Sequence, residues 1–138
     1  KLVENGALVA LPGYSVRFNP AQQTQVDRLL ARFAAAPYAP PSVKESQTEV
    51  GEEVYAALLE QGLLLQVSPE VVFRGADFEK MLAGVRAHFA ARDTLTLAEL
   101  RDQLNTSRKY VQAFLEYLDS TSVTVRDGDA RRLRKPRA

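Results

Sequence analysis

The chain of 138 residues contains no cysteine, which removes disulfides and thiolate metal sites and makes an intracellular setting the expectation. A basic-then-apolar leader is missing from its first residues, and no apolar run approaches the roughly 20 residues that span a bilayer. Soluble, cytoplasmic and monomeric behaviour is expected, with no membrane partner. Catalytic residues are scarce too. The one histidine, His88, falls in a helical stretch, and no serine or cysteine stands in a recognisable nucleophile motif. Glycine-rich phosphate loops are absent, and Glu52-Glu53 and Asp127/Asp129 lack the companions of a metal site. Neither an enzyme nor a metal or other cofactor site is expected within these residues.

What is present is a globular composition, 46% hydrophobic and 25% charged. The net charge of +1 hides an uneven distribution: residues 105–138 carry eight Lys/Arg against four Asp/Glu, while residues 1–104 carry ten against thirteen. Positive charge gathered at one end suits a polyanion-binding patch, and equally a solvated tail.

Punctuation along the chain predicts a repeated order of elements. Lys1 to Phe18, with Asn5-Gly6 as a tight-turn signal, reads as the last hairpin of a preceding module, so the chain is expected to be the end of a longer protein. Asn19 can cap a helix with Pro20 at its first position and Val26, Leu29, Leu30 and Phe33 as its apolar stripe. The Pro37–Pro41 stretch stops it, and Ser42 can cap a short helix over Val43–Ser46. Thr48 begins a third helix, which ends at Gly62. Leu63–Val67 and Val71–Arg74 form a hairpin. Three helices and a ribbon make one winged-helix module. The order then recurs: Asp77 caps a long linker helix over 77–92, Thr96 opens a short helix through Leu104, and Ser107 or Thr106 caps a helix bearing Val111, Phe114, Leu115 and Leu118. Two strands flank Asp127-Gly128-Asp129. Leu-Ala-Arg-Phe33-Ala-Ala matches Arg-Ala-His-Phe89-Ala-Ala at a separation of 56, and Val54–Leu58 matches Val111–Leu115 at 57. The fold class is therefore mainly α with small β-hairpins, as tandem winged-helix modules: 19–75, acidic and acting as a spacer or docking surface, and 76–138, basic and RNA-binding, behind the end of a preceding module at 1–18. Modules this small call for mutual packing, through the linker helix.

The two copies are decorated differently. The third helix of the first has Glu49, Glu52, Glu53 and Glu60; that of the second begins Ser107-Arg108-Lys109-Tyr110, and its hairpin carries Arg126, Arg131, Arg132, Arg134 and Lys135. Arginine can straddle a phosphate or a guanine edge, or stack on an unpaired base, which singles out Arg108, Arg126 and Arg131; Lys109 supplies a point charge for the backbone. Ser107 can donate to a phosphate or serve as a plain helix cap, and both roles can coexist. Tyr110 can stack on a base or sit half-buried at the helix start. Asp127 and Asp129 form the turn, with a carboxylate available to a base amino group. Glu116 and Asp119 continue the outward face of the helix, which disfavours insertion into duplex DNA. A duplex-DNA-binding regulator and a protein-interaction module with the acidic copy as its surface are the alternatives.

The run Thr106-Ser-Arg-Lys-Tyr, then Leu115-Glu-Tyr-Leu-Asp119, Val123-Thr and Arg126-Asp-Gly-Asp-Ala-Arg131 resembles the last winged-helix module of the bacterial selenocysteine-specific elongation factors. The resemblance covers roughly 17–135 as two final modules. It implies recognition of the selenocysteine insertion hairpin in selenoprotein mRNA, tethering the factor for UGA recoding, with Ser107, Arg108, Lys109, Tyr110, Arg126, Gly128, Asp129 and Arg131 in the matching motifs. It further implies a GTPase region outside these residues, with selenocysteyl-tRNA and the ribosome as partners of the full-length protein. Two positions depart: Val125 stands where an arginine is frequent, and Ser122 where a glycine is.

Overall fold

The computed structural model describes residues 18–134; the hairpin expected within the first 18 residues and Lys135 lie outside them, apart from Phe18. Asn19 and Gln22 close a capping box over α1 (Pro20–Ala35), which buries Val26, Leu29 and Phe33. Ser42 and Glu45 do the same for α2 (Val43–Val50). The expected break between 46 and 48 is corrected: α2 runs on to Val50, and the chain turns at Gly51, whose φ of +87° favours glycine, before α3 (Glu52–Glu60). Glu49 thus belongs to α2, where it pairs with Arg32. Gly62, at φ +78°, ends this helical pair, with Gly62 N–H donating to Leu59 O and Leu63 N–H to Leu58 O. An antiparallel ribbon follows, β1 (Leu64–Gln66) and β2 (Val72–Arg74), with Leu65 opposite Phe73. Its Leu64 and Val72 close a core with Val26, Leu29, Phe33, Val43, Val50, Val54, Tyr55 and Leu58.

The second group of elements starts without a spacer. α4 (Gly75–Ala91) follows β2 directly, so Asp77 is not its cap, contrary to the sequence reading; it sits in the first turn, 1% exposed, and its two oxygens accept from Nε and Nη2 of Arg74, each at 3.0 Å. Side-chain bulk is excluded at Gly75, where a Cβ would collide with the Gly62 carbonyl. Then come β3 (Leu95–Thr96), α5 (Leu97–Leu104) under a Thr96/Glu99 capping box, α6 (Arg108–Ser120), β4 (Thr124–Asp127) and β5 (Ala130–Leu133). The ribbon is a three-stranded sheet in the order β3-β5-β4. Two residues are too few to carry a period-two pattern, so β3 left no trace in the sequence.

The two groups repeat the order of three helices and a hairpin, with β3 added in the second and a drifting register. The capping boxes at Ser42 and Thr96 are 54 apart, whereas Leu58–Gly62–Leu63 and Leu118–Ser122–Val123, which close the third helices with the same hydrogen bonds, are 60 apart. That is about one helical turn from the sequence match at 57. The groups also share a core. Val71 and Phe73 of the first ribbon lie among Phe78, Met81, Leu82, Val85, Leu95, Leu100, Val111, Phe114, Leu115 and Leu118. Phe73 meets the Phe114 ring edge-on at 6.4 Å, and Phe78 meets Phe114 and Tyr117 at 5.4 and 5.6 Å. Contact therefore runs through the ribbon as well as the linker helix.

Candidate nucleic-acid interface

Helix α6 presents an open N-terminus. The first amides of any helix lack internal partners, and α1, α2 and α5 satisfy theirs with capping boxes, while α3 and α4 have carboxylates in their first turns. α6 has neither: Ser107 occupies the cap position with extended backbone but makes no side-chain cap hydrogen bond, and no acidic residue lies in the first turn. Arg108 and Lys109 are exposed there, and Arg108 has no ion pair among the described residues. Partial positive charge on the amides and two cationic side chains converge on one turn. Lys109 Nζ lies 5.6 Å from the Tyr110 ring centroid, and the half-buried Tyr110 packs against the second core. Lys109 also reaches the first group electrostatically: Glu45 is held below the ordinary carboxylate value, first by the Ser42 backbone amide, with Arg32 and Lys109 contributing in smaller measure.

Thr106, the other candidate cap, turns away from α6. Its hydroxyl donates to the Tyr38 carbonyl in the α1–α2 loop at 2.6 Å. The outward face of α6 carries Lys109, Gln112 and Glu116, and between it and the β1–β2 turn (Ser68, Pro69, Glu70) runs a cleft of about 460 Å³. Gln112 Nε2 donates to Glu116 at 3.2 Å.

Strand register does not by itself sort the arginines of the wing. Arg126 is opposite Arg131 and Val125 is opposite Arg132, so alternation puts Arg126 and Arg131 on one side and Val125 and Arg132 on the other. Arg131 is 4% exposed: its Nε and Nη2 donate to Asp119 Oδ2 at 3.2 and 2.9 Å, and Thr124 Oγ1 donates to Asp119 Oδ1 at 2.6 Å. Two expectations are corrected here. Arg131 does not present its guanidinium for phosphate or base contact, because Asp119 holds it against the end of α6; and Asp119 does not continue the outer face of that helix, because it turns to the wing. Arg126 is exposed, with Nε donating to the Gly128 carbonyl at 3.2 Å across the turn that Gly128 makes at φ +62°. Asp129 is exposed at that tip. Arg132 is exposed but pairs with Asp127 at 2.7 Å, which raises its pKa. Arg134 is exposed at the strand end. Among residues 105–134, Arg108, Lys109, Arg126 and Arg134 are the exposed cations without a carboxylate partner within ion-pair distance. The sequence reading missed Tyr38, Asp119 and Thr124 as parts of this arrangement. An acidic residue one turn before a basic strand was the available sign for Asp119; the Tyr38 carbonyl left none.

Residues 87–133, from the end of α4 through the wing, match the family model described as elongation factor SelB, winged helix. This segment is similar to the SelB winged helix. Over 134 residues the chain is 28% identical to a selenocysteine-specific elongation factor of Desulfomicrobium baculatum, covering 93% of this chain and 21% of that protein; the chain thus spans about a fifth of the length of the SelB relative it matches. The fold is likewise that of the mRNA-binding domain of E. coli elongation factor SelB, solved in complex with SECIS RNA, at a TM-score of 0.66 and 22% identity over 86% of this chain and all of that one. It also matches part of a bacterial selenocysteine-specific elongation factor, TM-score 0.66 and 19% identity, over 85% of this chain and 19% of the other. The SelB resemblance and the winged-helix fold expected from the sequence both stand.

Proposed function

We propose that this chain is the RNA-binding end of a SelB-type elongation factor, in which the start of α6 and the wing grip the hairpin in selenoprotein mRNA that directs selenocysteine insertion at UGA. The observation that carries the reading is the uncapped, carboxylate-free first turn of α6, with Arg108 and Lys109 exposed on it, inside the segment that matches the family. In this reading Ser107 and the first amides hold a phosphate, Arg108 and Arg126 reach exposed bases or phosphates, Lys109 and Arg134 attract the backbone, and Gly128 and Asp129 shape the wing tip. Tyr110 props the first turn, while Arg132 is held back by Asp127. RNA hairpins are read where bases are splayed from the stem, and an exposed helix start and a short, glycine-turned ribbon suit such a loop better than a long groove.

The chain acts as a binding module, with residues 19–75 as the acidic module, 76–138 as the basic one and 1–18 as the end of another. It calls for no cofactor and works as a monomer. GTP, selenocysteyl-tRNA and the ribosome are engaged by the full-length cytoplasmic factor. Duplex DNA is disfavoured because the β1–β2 turn flanks the outer face of α6 and Glu116 lies on it.

A gel shift with a stem-loop RNA, a scrambled stem-loop and duplex DNA is the test. Preferential retention of the matched hairpin is expected; equal or stronger retention of duplex DNA would replace this reading with that of a DNA-binding regulator, and retention of none would leave the protein-interaction role.

A further inference from the structure

We propose that Thr106 is a positioning residue for RNA binding, and that the acidic first unit supplies the footing of the RNA-binding turn through it. The proposal rests on the RNA-binding reading above. The loop between α5 and α6 has three residues, and each is fixed. Asn105 adopts a left-handed conformation at φ +52° and caps α5, Thr106 N–H donates to Arg101 O at 3.2 Å, and Ser107 heads α6. The Thr106 hydroxyl then crosses to the other unit, donating to Tyr38 O over a separation of 68 residues. Its acceptor is itself rigid: Ala39 N–H donates to Ala36 O at 3.2 Å in the same turn, Pro37 and Pro40-Pro41 fix φ on either side, and the Tyr38 ring packs against the second core. A half-buried bond between two stiff loops ends two residues before Arg108. Its effect on α6 is to fix where the open amides and the Arg108 side chain point, without touching the ligand.

Because Thr106 would act through Ser107 and Arg108, its removal should weaken binding without changing how many phosphates are neutralised, and the salt dependence of affinity reports that number. The experiment uses the whole chain and a stem-loop RNA, with anisotropy titrations at several salt concentrations and a thermal melt for each variant. Thr106→Val should lower affinity about fivefold, the size set by one hydrogen bond, at a temperature where the variant is folded, with a salt slope equal to that of the parent; Thr106→Ser should restore the affinity. Lys109→Ala serves as the contrast, since it should flatten the slope. Parent-like affinity in Thr106→Val overturns the proposal, as does a slope flattened to that of Lys109→Ala, which would mean that cationic phosphate contacts are lost rather than reoriented. Unfolding of both Thr106→Val and Thr106→Ala would also overturn it, by assigning the hydroxyl to folding. A parent chain that ignores the hairpin sinks the RNA-binding reading itself, a distinguishable result.

Discussion

Arg126 and Arg131 face each other across the wing, both arginines and both in the run that resembles the family motif, yet they have opposite fates. Arg131 is spent on Asp119, with side-chain exposures of 5% and 26%, and Arg126 is left to solvent. Breaking a largely buried pair strands the remaining charge, so Arg131→Ala should cost on the order of 3 kcal/mol of folding stability, read from urea denaturation, while the salt slope of RNA binding in the folded variant stays that of the parent. A flattened slope would return Arg131 to the list of phosphate contacts. Arg108 and Lys109 should separate in the other direction. Arg108→Ala is expected to cost about 1–3 kcal/mol of binding and relax preference between matched and scrambled hairpins, whereas Lys109→Ala weakens all RNAs alike and lowers the salt slope by about 1. Equal losses on both hairpins for the two variants would remove base reading from Arg108.

The helix ends carry the predictions that belong to whole elements. Ser122 closes α6 at φ +66°, the place that Gly62 holds at φ +78° in the first group. A side chain in this conformation costs roughly 1 kcal/mol, so Ser122→Gly should raise the melting temperature, in spite of the larger entropy of a glycine when unfolded; a fall would mean that the serine side chain contributes something the backbone angle does not reveal. The capping boxes give a pH dependence. Glu45 and Glu99 are both held below 4.5, chiefly by the backbone amides of Ser42 and Thr96. A carboxylate whose folded pKa is depressed contributes stability that is fully present above its unfolded value and lost as pH falls through the folded one. Stability should therefore decline on acidification below about 4.5, and the Glu45→Gln/Glu99→Gln double variant should show a shallower decline. An unchanged acid limb in that variant would refute this assignment.

At the scale of the molecule, the first ribbon completes the second core. Phe73→Ala should cost about 3–5 kcal/mol and yet leave one unfolding transition, because the ring it removes contacts Phe114 of the other unit. Two separated transitions in calorimetry of the parent chain would contradict the shared core. A fragment starting near residue 76 lacks Val71 and Phe73 and should melt below the whole chain, so weak RNA binding by that fragment reports lost packing as much as lost contacts.

Periodicity and capping residues were enough, from the sequence, to set out the six helices and the two hairpins, though not β3. Asn19, Ser42, Thr96 and the apolar stripes are local signals, and the physics that reads them acts within a few residues. The unequal charge of the two copies and the Ser-Arg-Lys-Tyr helix start were equally legible. The break at Gly51 was missed, since a helix can run through a glycine unless the chain needs to turn there. Tertiary contacts decided the rest: which wing arginine turns inward, that Asp119 meets Arg131, and that Thr106 reaches Tyr38. Each depends on what another element presents at a distance of many residues, which no local pattern encodes, so only the packed chain could distinguish a cation offered to solvent from one already paired.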